Sequence, residues 1–412
     1  MLGPGLITGA SDDDPSGIAT YTQAGAKFGF ALAWTLVLTY PLMVVIQAIS
    51  ARIGRTTGHG IAGNLRMHYP RWLLNTIVAL LFTANTLNIG ADLAAMGAVS
   101  ELLLRHVPAW AFLIFFGGVC AAGQIFLKHT RYVATLKWLT LSLFSYFAVL
   151  CVVQVPWASV ARGLVLPQLG FERDFWMMVV AVLGTTISPY LFFWQAAQEV
   201  EDTKAEPARE PLRKKPAQAP VAFARIQLDT VIGMGFSNLV ALAIMVTAAV
   251  TLHAHGENEI QSAAEAAEAL RPLAGNFAFG LFGLGIIGTG LLSVPVLAGS
   301  AAYALGEARR WPVGLARRPL HAKAFYGAIV AATFLGAAAN IASLDPVTAL
   351  VWAAIINAIV AVPVMAILMS MATRAKIMGP FRISRLWSVL GWLATGVMAA
   401  AALAMLGSLL GA

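Results

Sequence analysis

The chain has 412 residues, of which 59% are hydrophobic and 11% charged, against roughly 25% charged in a soluble domain. That balance, with a mean hydropathy of +0.77, excludes the two or three soluble domains that length alone suggests. The net charge of +8 follows from loop placement, so it is no nucleic-acid footprint.

Apolar runs of about 20 residues predict an all-α polytopic membrane protein with eleven spans. They lie near 2–26, 30–51, 72–102, 108–127, 132–156, 175–199, 227–252, 276–306, 322–343, 346–371 and 386–410. No basic segment precedes the first run, so no signal peptide is expected. The first span is interrupted at Ala10-Ser-Asp-Asp-Asp-Pro-Ser-Gly17. Each Asp costs roughly 2.5–3.5 kcal/mol at bilayer depth, so three together need a cation, partners or water. Pro15 and Gly17 favour a broken helix there, and a break frees backbone carbonyls as ligands. The fourth and fifth spans hold Cys120 and Cys151, expected as packing groups rather than a disulfide. The sixth span is broken at Gly184-Thr-Thr-Ile-Ser-Pro-Tyr190. Corresponding breaks five spans apart predict two inverted five-helix repeats, about 1–156 and 175–371, with an extra span at 386–410 and a substrate site at the midplane. The whole of 1–412 then forms one transporter domain.

Connections alternate sides. One side, with 52–71, 128–137, 200–225, 307–323 and 372–385, holds every Lys and Arg except Lys27, Arg105, Arg162, Arg173 and Arg271. The positive-inside rule makes that side cytoplasmic, with the N-terminus inside and the C-terminus outside. The loop 201–224, with Pro207, Pro211, Pro216 and Pro220, is expected to be a flexible tether. On the other side, Ile260, Ala264, Ala267 and Leu270 recur at helical spacing, which predicts an interfacial helix with Glu257, Glu259, Glu265 and Glu268 on its solvated face. His253 and His255 are expected to be a solvated pair. Trp72, Trp110, Trp157, Trp176, Trp311 and Trp387 lie near span ends, as interfacial anchors do.

The chemistry concentrates at the breaks. Asp14 directly precedes the breaking proline and is the leading metal ligand, with Asp13 or Asp12 beside it. Thr185 and Ser188 offer neutral oxygens from the second break, and Asn357 in span ten is a further candidate. Neither break contains Met, so an oxygen-only site is expected, suited to a hard cation such as Mg²⁺, Ca²⁺ or Mn²⁺. No P-loop, zincin or nucleophile-elbow motif occurs, which leaves ATP-driven and enzymatic functions without residues to rest on.

Several segments resemble the NRAMP divalent-metal transporters: Gly3 to Gly9 running into Asp14-Pro15, Thr39 to Leu42, Ile49 to Gly54, Asn88 to Asp92, and Gly184 to Pro189. The resemblance implies an eleven-span bundle of inverted repeats and divalent-cation uptake. It also makes the departures informative. The family's Asp-Pro-Gly-Asn is Asp14-Pro15-Ser16-Gly17 here, so only a backbone carbonyl at Gly17 replaces the Asn ligand. The family's Met-Pro-His is Ser188-Pro189-Tyr190, which removes the thioether and the proton-handling His. Asp92 matches the third-span Asp of the proton route, while the Glu three residues later is Ala95. This pattern is similar to the NRAMP-related magnesium transporter branch. Tyr190, Asp92 and Asp12 are thereby expected around the ion or along a residual proton path.

The expectation is alternating-access uptake of Mg²⁺ or Mn²⁺, not proton-coupled, in a bacterial inner membrane. No cofactor, nucleic acid or obligate protein partner is expected beyond the ion and the bilayer. A proton-coupled Mn²⁺/Fe²⁺ importer, a sodium-coupled solute carrier and a metal sensor without flux are the alternatives.

Overall fold

The structure is a computed structural model that describes residues 4–104, 106–127, 129–168, 170, 172–256, 263–341 and 346–410. The described residues are helical and contain no strand. The first transit is two half-helices, α1 (Pro4–Ala10) and α2 (Pro15–Phe28). Then come α3 (Ala33–Thr57), a short α4 (Ile61–His68), α5 (Arg71–Leu103) and α6 (Ala109–Phe126). The fifth transit is α7 (His129–Leu139) continued by α8 (Phe144–Val152), and the short α9 (Trp157–Val165) follows it. The sixth is again two halves, α10 (Arg173–Thr186) and α11 (Pro189–Ala205). There follow α12 (Ala219–Thr251), α13 (Ala263–Arg309), α14 (Lys323–Ile341), α15 (Pro346–Thr373), a single turn α16 (Ala375–Met378) and α17 (Arg385–Leu410).

Among the described residues, nine helical stretches are long and apolar enough to cross a membrane. The difference from eleven is local. The break leaves α1 and α2 with 7 and 14 residues, and α14 offers only a shorter apolar stretch, Lys323–Ala339. α13 is two helices met at Gly275, whose φ of 80° departs from the helix. Its first part, from Ala263, coincides with the expected interfacial helix, while Glu257, Glu259 and Ile260 lie outside the described residues.

Both breaks have one local cause. A residue before proline is held extended, and proline opens a new helix at its first turn. Asp14 (φ −70°, ψ 166°) precedes Pro15, and Ser188 (φ −84°, ψ 130°) precedes Pro189. Asp14 accepts a hydrogen bond from the Gly17 amide at 2.6 Å and so caps α2. Ser188 acts backwards: its hydroxyl donates to the Gly184 and Thr185 carbonyls at 2.9 Å and closes α10.

Packing then fixes the halves. α1 lies backbone to backbone on α12, where a side chain at Gly9 would overlap the Gly233 carbonyl. The Gly5 amide donates to Asp229 on α12 at 2.6 Å. α11 is tied to α3 and α12 through Gln47, which donates to the Leu191 carbonyl and to Gln195, itself a donor to Thr230. α10 rests on α15, and α17 covers α15 from outside. Phe126, Leu228 and Leu403 face outward, as lipid-facing side chains do.

The segment expected as a flexible tether is docked instead. α11 runs on to Ala205, and Leu212 beyond it is fully buried. The Leu212 and Arg213 amides donate to the Arg55 and Thr56 carbonyls at 3.2 Å, and Arg55 reaches the Glu210 carbonyl and Gln218. One apolar side chain amid prolines, with its neighbours' amides satisfied by the end of α3, outweighs the segment's polar composition. Cys120 and Cys151 are free thiols in α6 and α8. His253 and His255 each direct Nδ1 to a backbone carbonyl, of Ala26 and Thr251 respectively.

Candidate functional site

The two breaks meet in the interior. Gly17 in the first turn of α2 faces the second break: a β-carbon there would lie 3.1 Å from Thr185 Oγ1, 3.2 Å from the Asp12 carbonyl oxygen and 3.4 Å from Asp14 Oδ1. Those oxygens surround the position where the resemblance places an Asn. All four residues are buried, with Asp14 and Thr185 each 3% exposed. Asp14 engages one oxygen in capping α2. Its Oδ2 lies 3.4 Å from the Tyr190 hydroxyl, which donates to the Ser11 carbonyl at 2.7 Å.

The other carboxylates divide between neighbours. Asp92 on α5 accepts from the Ser16 amide at 3.2 Å and from Ser293 on α13 at 3.1 Å, which places it against the N-terminus of α2 beside Asp14. Asp12 turns to α12, where Ser237 donates to its Oδ2 at 3.0 Å, while its Oδ1 has no partner in the chain. Both Asp13 oxygens are buried without a partner. Among the described residues none of these four carboxylates is in an ion pair. Buried carboxylates need a counter-charge or hydrogen bonds, and those on offer here are few and neutral.

Asn357 is buried with its Oδ1 unpartnered, on a stretch of α15 that touches the second break: Gly184 packs directly on Ala354 and Ala358. The hydroxyl of Ser188 donates its proton within its own break, to the Gly184 and Thr185 carbonyls. Asp14, Gly17, Thr185 and Tyr190 therefore come together, with Ser188, Asn357 and Asp92 at the margin; Asp12 is directed away. Among the described residues no three His, Cys, Asp or Glu side chains cluster as a metal-binding group, so an ion here would draw on carbonyls, hydroxyls and retained water.

Sequence reasoning missed Ser237 and Ser293, and met Asn88 only as the first residue of the Asn88 to Asp92 match. Asn88 stands one turn before Asp92 with both amide atoms buried and unpartnered. Lone serines in apolar spans carry no signal, whereas a buried Asn four residues from a buried Asp was visible as a pair on one helix face.

A family model described as natural resistance-associated macrophage protein-like (Nramp) matches residues 5–408. The chain is 29% identical over 311 residues to the divalent metal cation transporter MntH of Yersinia enterocolitica, covering 73% of this chain and 71% of that protein. To the protein of the same name in Verminephrobacter eiseniae it is 26% identical over 294 residues, covering 68% and 62%. Among solved structures it is similar to the Eremococcus coleocola manganese transporter, with TM-score 0.75 at 17% identity over 98% of this chain and 85% of that one. It is also similar to Mhp1, a nucleobase-cation-symport-1 family transporter in a closed conformation, with TM-score 0.59 at 13% identity over 99% and 93%. These likenesses bear out the helical inverted-repeat fold with its first and sixth helices broken.

Proposed function

We propose that this chain, which belongs to the Nramp family, carries divalent metal cations across a membrane, with Asp14 as the charged ligand and Thr185, the backbone around Gly17, and Asn357 as neutral oxygens. The observation that carries this reading is the meeting of Asp14, Thr185 and the Asp12 carbonyl around Gly17, inside the bundle and at both helix breaks. Relatives are described as divalent metal cation and manganese transporters, which agrees with it. Asp13, whose oxygens lack partners, adds negative charge near the ion, and Tyr190 holds the break through Ser11.

The preferred cargo is Mg²⁺ or Mn²⁺. The donor set is oxygen only, and the hydroxyl and carbonyl oxygens that close around Gly17 suit a hard cation. Transport is uncoupled from protons, since Tyr190 and Ala95 stand where the resemblance expects titratable groups. Uptake needs no proton: a divalent ion crossing about 100 mV gains roughly 4.6 kcal/mol, on the order of a thousandfold accumulation. The N-terminus and the basic loops face the cytoplasm of a bacterium, and the two repeats span about 1–156 and 175–371. A second reading, a proton-coupled Mn²⁺/Fe²⁺ importer, rests on Asp92, which sits beside Asp14 and could take up a proton alone.

The test is a flux panel of Mg²⁺, Mn²⁺, Ca²⁺ and Fe²⁺ into proteoliposomes that hold a pH dye. Mg²⁺ and Mn²⁺ entry without lumenal acidification is the expected result. Binding with no flux of any of the four ions would leave a sensor as the better reading.

A further inference from the structure

The ends of α2 and α10 farthest from the basic loops line a half-open pocket of about 210 Å³. Gln23 and Lys27 line it from α2, Asp174, Met177 and Met178 from α10, and Ile355 from α15. It lies in line with the candidate site: Gln23 is six residues beyond Gly17, and Met178 is seven before Thr185, a helical rise of about 10 Å in each case. At its rim Lys27 Nζ meets Asp174 Oδ2 at 2.5 Å. Among the described residues this is the one ion pair joining the two broken transits.

Size and charge say what the pocket can admit. Six waters at about 30 Å³ each occupy roughly 180 Å³, so a divalent ion with its first hydration shell fits the space. The two side chains of the pair are 36% and 56% exposed, which puts them within reach of bulk ions. A cation entering here meets a carboxylate whose charge a lysine is cancelling. The helices do not depend on the pair to stay together, because Phe28 and Phe175 pack edge to face beside it at 5.6 Å. An exposed ion pair adds little to stability in any case.

We propose that Lys27 and Asp174 form an ion-pair gate over an antechamber for a hydrated divalent cation, and that the incoming cation takes Asp174 over from Lys27. This deepens the transport reading and rests on it. Neutralising the lysine leaves Asp174 free for the cation, and neutralising the aspartate leaves an uncompensated ammonium at the entrance. The two substitutions therefore act in opposite directions, whereas a pair that merely latched the helices would give the same effect from either side.

The experiment measures Mn²⁺ influx against external Mn²⁺ in proteoliposomes of wild type, Lys27→Gln, Asp174→Asn and the conservative Asp174→Glu. Lys27→Gln is expected to lower the half-saturating concentration by about threefold to tenfold and Asp174→Asn to raise it by a similar factor, with maximal rates nearly unchanged. Asp174→Glu is expected to stay near wild type, which separates loss of charge from loss of fold. Shifts in the same direction, or none in either variant, overturn the gate while wild-type influx still stands. Absence of Mn²⁺ influx in wild type overturns the transport reading and the gate with it.

Discussion

Asp14 caps α2 through its Oδ1 and the Gly17 amide, and the proposed function gives the same carboxylate a second task as the charged ligand. Asp14→Ala removes both, so lost transport in that variant would mix a missing ligand with a frayed helix worth about 1 kcal/mol. Asp14→Asn keeps a capping oxygen and removes only the charge. It is expected to keep the wild-type unfolding temperature in detergent to within a few degrees and to abolish Mn²⁺ flux, because a neutral amide cannot offset the ion's dehydration. Retention of half the wild-type flux would remove Asp14 from the site. Gly17 and Ser188 test selectivity. An Asn at Gly17 enters against the Thr185 hydroxyl and the Asp12 carbonyl at distances that demand a shift of a few tenths of an ångström. A Met at Ser188 releases the Thr185 carbonyl from its hydrogen bond and adds a soft sulfur. Together, Gly17→Asn and Ser188→Met are expected to raise the Cd²⁺:Mg²⁺ affinity ratio by tenfold or more, measured by calorimetry on the purified double variant. An unchanged ratio would mean that these positions do not line the ion's surroundings.

At the scale of elements, the short α1 has little apolar surface of its own and depends on close approach to α12. Gly9 and Gly233 permit that approach because neither carries a β-carbon. Gly9→Ala is expected to destabilise the protein by about 1–3 kcal/mol, since the added methyl meets backbone that cannot turn aside. Gly396→Ala on α17, where a β-carbon meets nothing within 4 Å, is the control and should leave stability unchanged or slightly raised. Thermal unfolding of both variants in detergent decides the matter; equal unfolding temperatures would show that α1 does not rest on α12 as tightly as the structure has it. The docked segment around Leu212 belongs to the same scale. It ties the end of α11 to the end of α3, so the second half of one broken transit is braced against a continuous helix.

For the whole molecule the question is what drives the ion. Tyr190 bonds to the Ser11 carbonyl and Ala95 bears no titratable group, which leaves Asp92 as the one acid next to Asp14 on the α5 side. Mg²⁺ or Mn²⁺ influx is therefore expected to rise with an inside-negative potential and to be indifferent to an imposed pH gradient, read with a potassium-diffusion potential and a lumenal pH dye. Lumenal acidification in step with metal entry, absent in Asp14→Asn, would establish proton coupling instead. An inside-negative potential of about 100 mV acting on a double charge is by itself enough for concentrative uptake.

Features that depend on a short stretch of chain were legible in the sequence. Apolar windows marked the spans, X-Pro dipeptides beside small polar residues marked both breaks, and Asp14 could be singled out because a buried acid before a helix-opening proline is a local fact. Two of the eleven expected spans fall short of a full crossing among the described residues, the first because its break leaves halves of 7 and 14 residues and the ninth because the apolar part of α14 is only Lys323–Ala339. Tertiary structure alone decided which oxygens face one another. Ser293 reaches Asp92 across 201 residues and Ser237 reaches Asp12 across 225, and a serine in an apolar run gives no sign of its partner until another helix is packed against it. The same holds for Thr185, which meets Gly17, and Ser188, which turns back on its own helix, although three positions apart they look interchangeable in sequence. Docking of 206–218 was hidden for the opposite reason: its composition is that of a free loop, and one buried leucine with two satisfied amides overrides it. Pattern along the chain thus determined the bundle and where it breaks, and packing across the bundle decided which side chains share the space between the breaks.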